Sequence, residues 1–579
     1  MINNTCPRPE HPRPQMQREQ WLSLNGSWDF LIDFSKSGKE RAFYKDGPFQ
    51  QKIMVPFCPE SRLSGIAFTD FMAAVWYRRT VDLTAEQISG RVLLHFGAVD
   101  YHCEVWVNGT WCGTHDGGYA SFSLDITRQV SCGSNTLVVM ASDDNRSLSQ
   151  PRGKQSARYH SHNCDYTRTT GIWQTVWLEF VPEAYIRRYR VIPNIHEPSI
   201  LFQVEVDGAV DGFVVQLTAS YNGKKAGTRQ AVLSRGQAEG ELPLAECHLW
   251  EAGQPRLYDL AIELIHDQGI VDCVSGYFGL REIQLKDKAI YLNGRPVFQR
   301  LVLDQGFYPD GIYTAPSDAD LRRDIELAMQ LGFNGARLHQ KVFEERFLYW
   351  ADHLGYLVWG EHASWGLDFH APGGGEGLKQ FLGEWMEIVA RDFNHPAIVG
   401  WCPFNETWDL DGRKQDDAVL RLVYQVTKAM DRTRPVIDTS GNYHVVTDVF
   451  DVHNYEQDPA VFAATFAPMA QGGDVYNSFP QRQTYQGEPY FVSEYGGTWW
   501  NPSGGAEGWG YGKQPASEAD VLARYSGLTA VLLRNPAICA FCYTQLTDIE
   551  QEQNGLYHYD RSRKFSVETY QEIRRTNMT

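Results

Sequence analysis

Ile398-Val-Gly-Trp-Cys-Pro-Phe-Asn-Glu406 is an apolar run that ends on an amide and an acid, and Tyr490-Phe-Val-Ser-Glu-Tyr-Gly496 repeats the pattern further along. Short continuous apolar runs bounded by helical periodicity mark parallel strands covered on both faces. Working outward from these two, the same pattern predicts strands at Val297–Asp304, Gly335–Gln340, Leu357–His362, Val436–Gly441, Val449–Tyr455 and Ala537–Gln545, eight in all. Helical periodicity fills Ser317–Leu331, Phe343–His353, Glu376–Phe393, Gln415–Met430, Ala516–Leu533 and Ser566–Arg575. Strands alternating with helices imply parallel β/α units, and eight of them over residues 281–579 are expected to close into a (β/α)8 TIM barrel with a single mouth at the strand C-termini.

Upstream the grammar is different. Residues 1–182 hold short alternating runs such as Val92-Leu-Leu-His-Phe96 and Cys103-Glu-Val-Trp-Val107, the latter followed by the hairpin pair Asn108-Gly109. Residues 183–280, with Ile200-Leu-Phe-Gln-Val-Glu-Val206 and Val214-Val-Gln-Leu-Thr-Ala-Ser220, read as an immunoglobulin-like β-sandwich. The expectation is a multidomain chain of two β-sandwiches followed by a catalytic α/β barrel.

Bulk composition limits the partners. The chain has 579 residues and a formal charge of −18, from 71 acidic against 53 basic residues, which disfavours nucleic acid and anionic membranes. No run of apolar residues is long enough to span a bilayer and Met1–Gln20 has no signal-like apolar core, so a cytoplasmic location is expected. Eleven scattered cysteines fit reduced thiols; the Cys539–Cys542 pair sits in a strongly apolar strand and reads as packing. The Gly-rich stretch Gly504–Gly512 has no helix start aligned for phosphate and reads as a loop bordering the site. No cofactor is expected, a homo-oligomer is compatible, and the partner expected is a carbohydrate.

The predicted strand ends gather polar and aromatic residues: Asp304, Arg337, His339, Glu361, His362, Asn405, Glu406, His453, Tyr455, Glu494, Tyr543 and Gln545, with Trp365, Trp408 and Trp499 in the loops beyond. A barrel mouth converges such residues on one site. Cleaving an acetal with retention needs a carboxylic acid to protonate the leaving oxygen and a carboxylate nucleophile about 5–5.5 Å away. Glu406 is assigned as acid/base and Glu494 as nucleophile, Glu406 keeping its proton in the field of ionised Glu494. Arg337 and Tyr455 are expected to keep Glu494 ionised, Asn405 to bind a sugar 2-hydroxyl, and the aromatic rings to stack on the sugar. Glu361-His362 is also of metal-ligand type, but two residues make a thin set and no metal is assigned.

Several motifs make the chain similar to glycoside hydrolase family 2, the group of β-galactosidases, β-glucuronidases and β-mannosidases. Leu24-Asn-Gly-Ser-Trp-Asp-Phe30, Trp76-Tyr-Arg-Arg79, Val105-Trp-Val-Asn-Gly109, His115-Asp-Gly-Gly-Tyr119 and Gly171-Ile-Trp-Gln-Thr-Val-Trp177 resemble the family's sugar-binding-type jelly roll. Asn334-Gly-Ala-Arg337, Arg391-Asp-Phe-Asn-His-Pro396, Phe404-Asn-Glu406 and Ser493-Glu-Tyr-Gly496 resemble its barrel signatures, in the family's order. The resemblance covers essentially the whole chain. It implies a retaining mechanism with the same two glutamates in the same roles. The family's glucuronidases carry an Asn-x-Lys clamp for the substrate carboxylate; Asn554-Gly-Leu-Tyr-His-Tyr-Asp560 has no lysine at that spacing, which favours a neutral sugar. The expected activity is an exo-acting β-galactosidase. β-Glucuronidase, β-mannosidase and an arabinofuranosidase or galactofuranosidase are the alternatives, and a non-catalytic carbohydrate-binding protein is the alternative of a different class.

Overall fold

The computed structural model describes residues 6–208, 212–408, 415–502 and 508–579. The glycine-rich stretch Gly504–Gly512 therefore lies partly outside the described residues. The first sandwich packs a four-stranded sheet (Trp21–Ser23, Val176–Val181, Arg91–Phe96, Phe122–Asp125) on a six-stranded one that includes Val75–Leu83 and Gly133–Ser142. Its hairpin Asn108-Gly109 has φ of 51° and 76°, the left-handed pair that a tight two-residue turn requires. Alternate side chains from both sheets, among them Trp28, Tyr77, Leu94 and Val139, interdigitate in one core. The second sandwich has three strands (Tyr185–Asn194, Ser199–Asp207, Gln237–Pro243) against four, with a core of its own.

The third unit carries seven parallel strands: β1 (Gln299–Asp304), β2 (Gly335–Leu338), β3 (Leu357–Glu361), β4 (Ile398–Cys402), β5 (Phe450–Asn454), β6 (Tyr490–Gly496) and β7 (Ile538–Thr544). They pair in the order β4-β3-β2-β1-β7-β6-β5. Every residue of β6 and β7 is buried, as strands covered on both faces must be. The strand expected at Val436–Gly441 lies where the ring must close, but it forms only single parallel bridges, Trp401 with Val436 and Asn405 with Ser440. The buried Asp438 explains the irregularity. Its carboxylate accepts from the N–H group of Thr439, so one backbone donor of the strand is bonded to a side chain, and from those of Val445 and Val446 in the loop beyond, which it folds back onto the strand.

An unexpected helix, Pro459–Ala470, begins at Asp458, whose carboxylate accepts from the N–H groups of Ala460 (2.7 Å) and Val461 (3.3 Å), with proline in the first turn. Among the described residues no helix is long and apolar enough to cross a membrane.

The first sandwich is cemented to the barrel. Tyr119, Tyr166 and Trp173 belong to the barrel's own core, and Glu384, on the helix after β3, accepts from the N–H groups of Tyr119 (2.6 Å) and Ala120 (3.2 Å). Arg18 joins both sandwiches through Glu179 (2.9 Å) and Asp272 (3.0 Å). All three charges are buried, so removing one acid leaves Arg18 partly uncompensated at a cost of about 3–5 kcal/mol.

Candidate active site

Arg337 on β2 is the most heavily bonded group at the mouth. Its Nε donates to Glu361 Oε2 (2.7 Å), its Nη1 to Glu494 Oε1 (2.9 Å) and the Ser493 carbonyl (3.1 Å), and its Nη2 to the Asn405 amide oxygen. Completely buried, it can hold its charge only because two carboxylates face it. Glu494, inside β6, offers its second oxygen to the Tyr455 hydroxyl. Burial pushes the Glu494 carboxyl up, but His453, Arg337 and the Tyr455 hydroxyl outweigh it and hold it below the ordinary glutamate range. The group is thus ionised, anchored at both oxygens and dry, as a nucleophile should be.

Glu406 lies beyond β4, after Pro403 has interrupted the strand. Its backbone sits in the left-handed region, φ 44°, a conformation that costs a non-glycine residue about 1 kcal/mol or more and is held here by the bond from its N–H to Ser440 O (2.7 Å). Glu406 Oε1 lies 2.9 Å from His453 Nδ1, which also lies 3.4 Å from Glu494 Oε2. The three donor atoms of Glu406, His453 and Glu494 fall within 4.8 Å of one another. Behind them His453 Nε2 meets Ser440 Oγ (3.0 Å), which donates to Asp451 (2.6 Å), itself 3.2 Å from His444. The trio's spacing also suits a cation, but Arg337 and Tyr455 already occupy both Glu494 oxygens.

Aromatic rings wall the cleft. Trp365 is buried and donates its indole N–H to the Asn405 carbonyl (3.0 Å); Tyr455 stacks on Tyr511, ring centres 3.5 Å apart; Trp408, 39 % exposed, stands at the rim. Asn405 Nδ2 and the half-buried Trp499 indole N–H have no hydrogen-bond partner among the described residues, leaving two donors for hydroxyl groups. His339 joins the catalytic group, 3.0 Å from Glu361 Oε1 and 4.0 Å from Glu494 Oε1, and burial together with the nearby Lys154 and Arg337 keeps it neutral.

Four of the expected contacts face elsewhere. His362 stacks on Phe381 (4.6 Å) and lies 3.5 Å from Glu384, because successive residues of a strand point to opposite faces and its neighbour Glu361 takes the inner one. For the same reason Glu361 and His362 do not form a metal pair. Tyr543 packs outward against Tyr495 and Tyr525, while the next residue, Thr544, meets the Tyr455 hydroxyl at 3.1 Å. Asp304 accepts from the Gly306 N–H (2.9 Å), and burial and Asp324 raise its pKa while Arg561 opposes them. Gln545 is a bracket between Gln305 (2.7 Å) and Asn554 (2.8 Å).

Sequence reasoning passed over Tyr511 and the whole segment between the strands ending at Ser142 and starting at Gly171. That segment reaches the barrel: Arg152 and Gly153 donate to the Trp365 carbonyl, Thr167 to Glu550, Tyr166 to Glu552, and Gln551 and Trp509 donate to the Asn163 carbonyl. The available signal was its length, since a connection that long without strands is uncommon unless it has a task.

Comparison with known proteins agrees along the chain. Residues 22–182 match the sugar binding domain of Glycosyl hydrolases family 2, residues 184–281 a second domain of that family, and residues 283–527 its TIM barrel domain. The β-glucuronidase of Mus musculus is 26% identical over 473 residues, covering 74% of this chain and 70% of that protein. The β-glucuronidase of Paenibacillus borealis is 24% identical over 462 residues, covering 73% of this chain and 74% of its own. The crystal structure of Ruminococcus gnavus β-glucuronidase superposes with a TM-score of 0.80 at 19% identity over 98% of both chains, a likeness of fold.

Proposed function

The chain belongs to glycoside hydrolase family 2 and is a glycosidase, and from that membership we propose that it removes a terminal β-linked sugar by double displacement, with Glu494 as nucleophile and Glu406 as acid/base. The observation that carries this reading is the pair of carboxylate oxygens within 4.8 Å of each other across a buried cleft. An inverting enzyme separates its carboxyl groups by about 6.5–9.5 Å to admit a water; an oxygen pair within 4.8 Å, with His453 Nδ1 at 2.9 and 3.4 Å from the two, favours the closer spacing of a retaining pair.

In the first step the leaving oxygen takes a proton from Glu406 while Glu494 attacks the anomeric carbon. In the second, Glu406 accepts a proton from water, which displaces the glycosyl ester. Arg337 and Tyr455 hold the Glu494 carboxylate in position, and as negative charge leaves it their hydrogen bonds limit how far the Glu494 side chain can drift. The unpartnered Asn405 Nδ2 is the donor for the sugar 2-hydroxyl.

As glycone we infer a uronic acid, a β-glucuronidase-type activity, in place of the galactose favoured by sequence. The support is that relatives covering about three quarters of the chain are β-glucuronidases. A neutral sugar is the competing reading, favoured by the buried Glu552 carboxylate, which suits a hydroxyl donor. Hydrolysis of a panel of 4-nitrophenyl β-glycosides, with NMR detection of the first-formed anomer, tests both halves. The β-uronide should be cleaved fastest with the β-anomer appearing first; an α-anomer first would exclude double displacement, and a dominant galactoside rate would return the assignment to a neutral sugar.

A further inference from the structure

A uronidase needs a cation for the substrate carboxylate, and among the described residues Arg337, Lys341 and Lys564 of the barrel are already engaged, Lys341 by the carbonyls of Gly306 (2.5 Å) and Tyr313 (2.8 Å). Arg337 is paired with Glu361 and Glu494, and Lys564 with Asp548 (2.6 Å). Asn554, where the family's glucuronidases carry the clamp, is tied to Gln545 and Glu552. Resting on the uronide reading above, we propose that the carboxylate is recognised by Lys154, a residue of the first sandwich.

Three observations place this lysine in the cleft. The turn Arg152-Gly153 is plugged into the barrel, both N–H groups donating to the Trp365 carbonyl at 2.8 and 3.2 Å. Gly153 has φ 56° and a side-chain carbon there would lie 2.4 Å from the Gln340 carbonyl, so glycine alone permits the approach. The turn delivers the Lys154 ammonium to 4.0 Å from the centre of the Trp365 ring, whose indole is fixed to Asn405, the neighbour of Glu406.

The ammonium's surroundings are those of a cation waiting for an anion. Lys154 is 6 % exposed, yet among the described residues it has no carboxylate within ion-pair distance. Glu552, first among the carboxylates that raise the ammonium's pKa, is bonded instead to the Tyr166 hydroxyl and Asn554 Nδ2. Burial alone pulls the ammonium's pKa down, but Cys164, Glu552, Glu406 and Glu494 raise it more. Lysine is seldom buried without a partner, and a ring face returns only about 2 kcal/mol of what desolvation costs. A counter-ion built to neutralise Glu552 would touch it; this one lies over the face of Trp365 instead.

The test compares wild type, Lys154→Met and Lys154→Arg on 4-nitrophenyl β-glucuronide, β-galacturonide, β-glucoside and β-galactoside, with folding checked by thermal unfolding. The readout is the ratio of kcat/KM between each uronide and its neutral counterpart. The ratio should fall roughly 30- to 1,000-fold in Lys154→Met, the range for stranding one member of a buried charge pair, and recover in part in Lys154→Arg, which keeps the charge. Equal losses on acidic and neutral substrates, or an unchanged ratio, overturn the role of Lys154 while leaving the uronide reading intact. A wild-type enzyme that cleaves neither uronide overturns both. If Lys154→Met fails to fold, the ratio in Lys154→Arg decides: unchanged together with an unchanged KM, it contradicts a direct contact, because the longer fork cannot sit in a site fitted to an ammonium without a cost.

Discussion

The floor and the wall of the cleft are built on opposite plans. On the floor, the groups brace one another: Glu494 is held by Arg337 and Tyr455, Arg337 by Glu361, Glu494 and Asn405, and His453 by Glu406 and Ser440. On the wall contributed by the first sandwich, the backbone of residues 152–154 is pinned while, among the described residues, the Lys154 ammonium lies over a ring face with no carboxylate at ion-pair distance. Groups that meet developing charge act best when they need no reorganisation, so their hydrogen bonds are filled in advance. A group that reads the substrate must keep capacity in hand, because it gives up water for the ligand. Chemistry therefore belongs to the barrel and selectivity, on this account, to its neighbour.

That division is open to attack at several strengths. Replacing Glu494 by Ala should reduce turnover by roughly 10⁴-fold or more without loss of fold, and azide should restore activity as a glycosyl azide of inverted configuration. Turnover within tenfold of wild type would remove the nucleophile from the floor. Next in size is Glu406→Ala: glycosides with poor leaving groups should lose about 10²- to 10⁴-fold in kcat, those with good leaving groups far less. A uniform loss would mean that Glu406 supplies no proton.

Tyr455→Phe tests the bracing itself and should cost about tenfold. The sign of its pH effect is fixed. Glu494 works as a carboxylate, its folded pKa is depressed, and the Tyr455 hydroxyl is one of the depressing groups. The rate therefore falls as pH drops through that pKa, and removing the hydroxyl must move the acid limb of kcat/KM to higher pH. An unmoved limb would show that the bond does not tune the carboxylate. The smallest effect concerns stability. His444, buried against Asp438 and Asp451, is raised to about 10 from an ordinary 6.5. Its stabilisation is complete below about pH 6.5 and lost as pH rises towards 10, so the wild-type melting temperature should decline over that window more steeply than that of His444→Gln.

The sequence made the floor readable and left the wall dark for identifiable reasons. Continuous apolar runs located the strands, and Tyr490–Gly496 emerged with its expected bounds because all seven residues are buried, although its pairing carries register shifts. Val436–Gly441 could be located but not its irregularity, since Asp438 bonds to N–H groups seven and eight residues away. The orientation errors at His362 and Tyr543 share one cause: a strand end presents alternate residues to the mouth, and hydrophobic patterning cannot fix the parity where both faces are buried. The helix Pro459–Ala470 was signalled by Asp458-Pro459 but is apolar around its circumference, so it showed no amphipathic period. Lys154 was invisible in principle. Its meaning depends on an approach between two domains that only Gly153 permits, and a single lysine in a polar loop carries no local sign of that.

The most direct trial of the account is mass spectrometry of peptides from enzyme inactivated with a 2-deoxy-2-fluoro β-glycosyl fluoride of the preferred sugar. Covalent sugar should be found on the peptide containing Tyr490–Gly496, at Glu494 and in a one-to-one ratio with lost activity. Label on any other residue, or full inactivation with no covalent sugar, would contradict attack by this carboxylate.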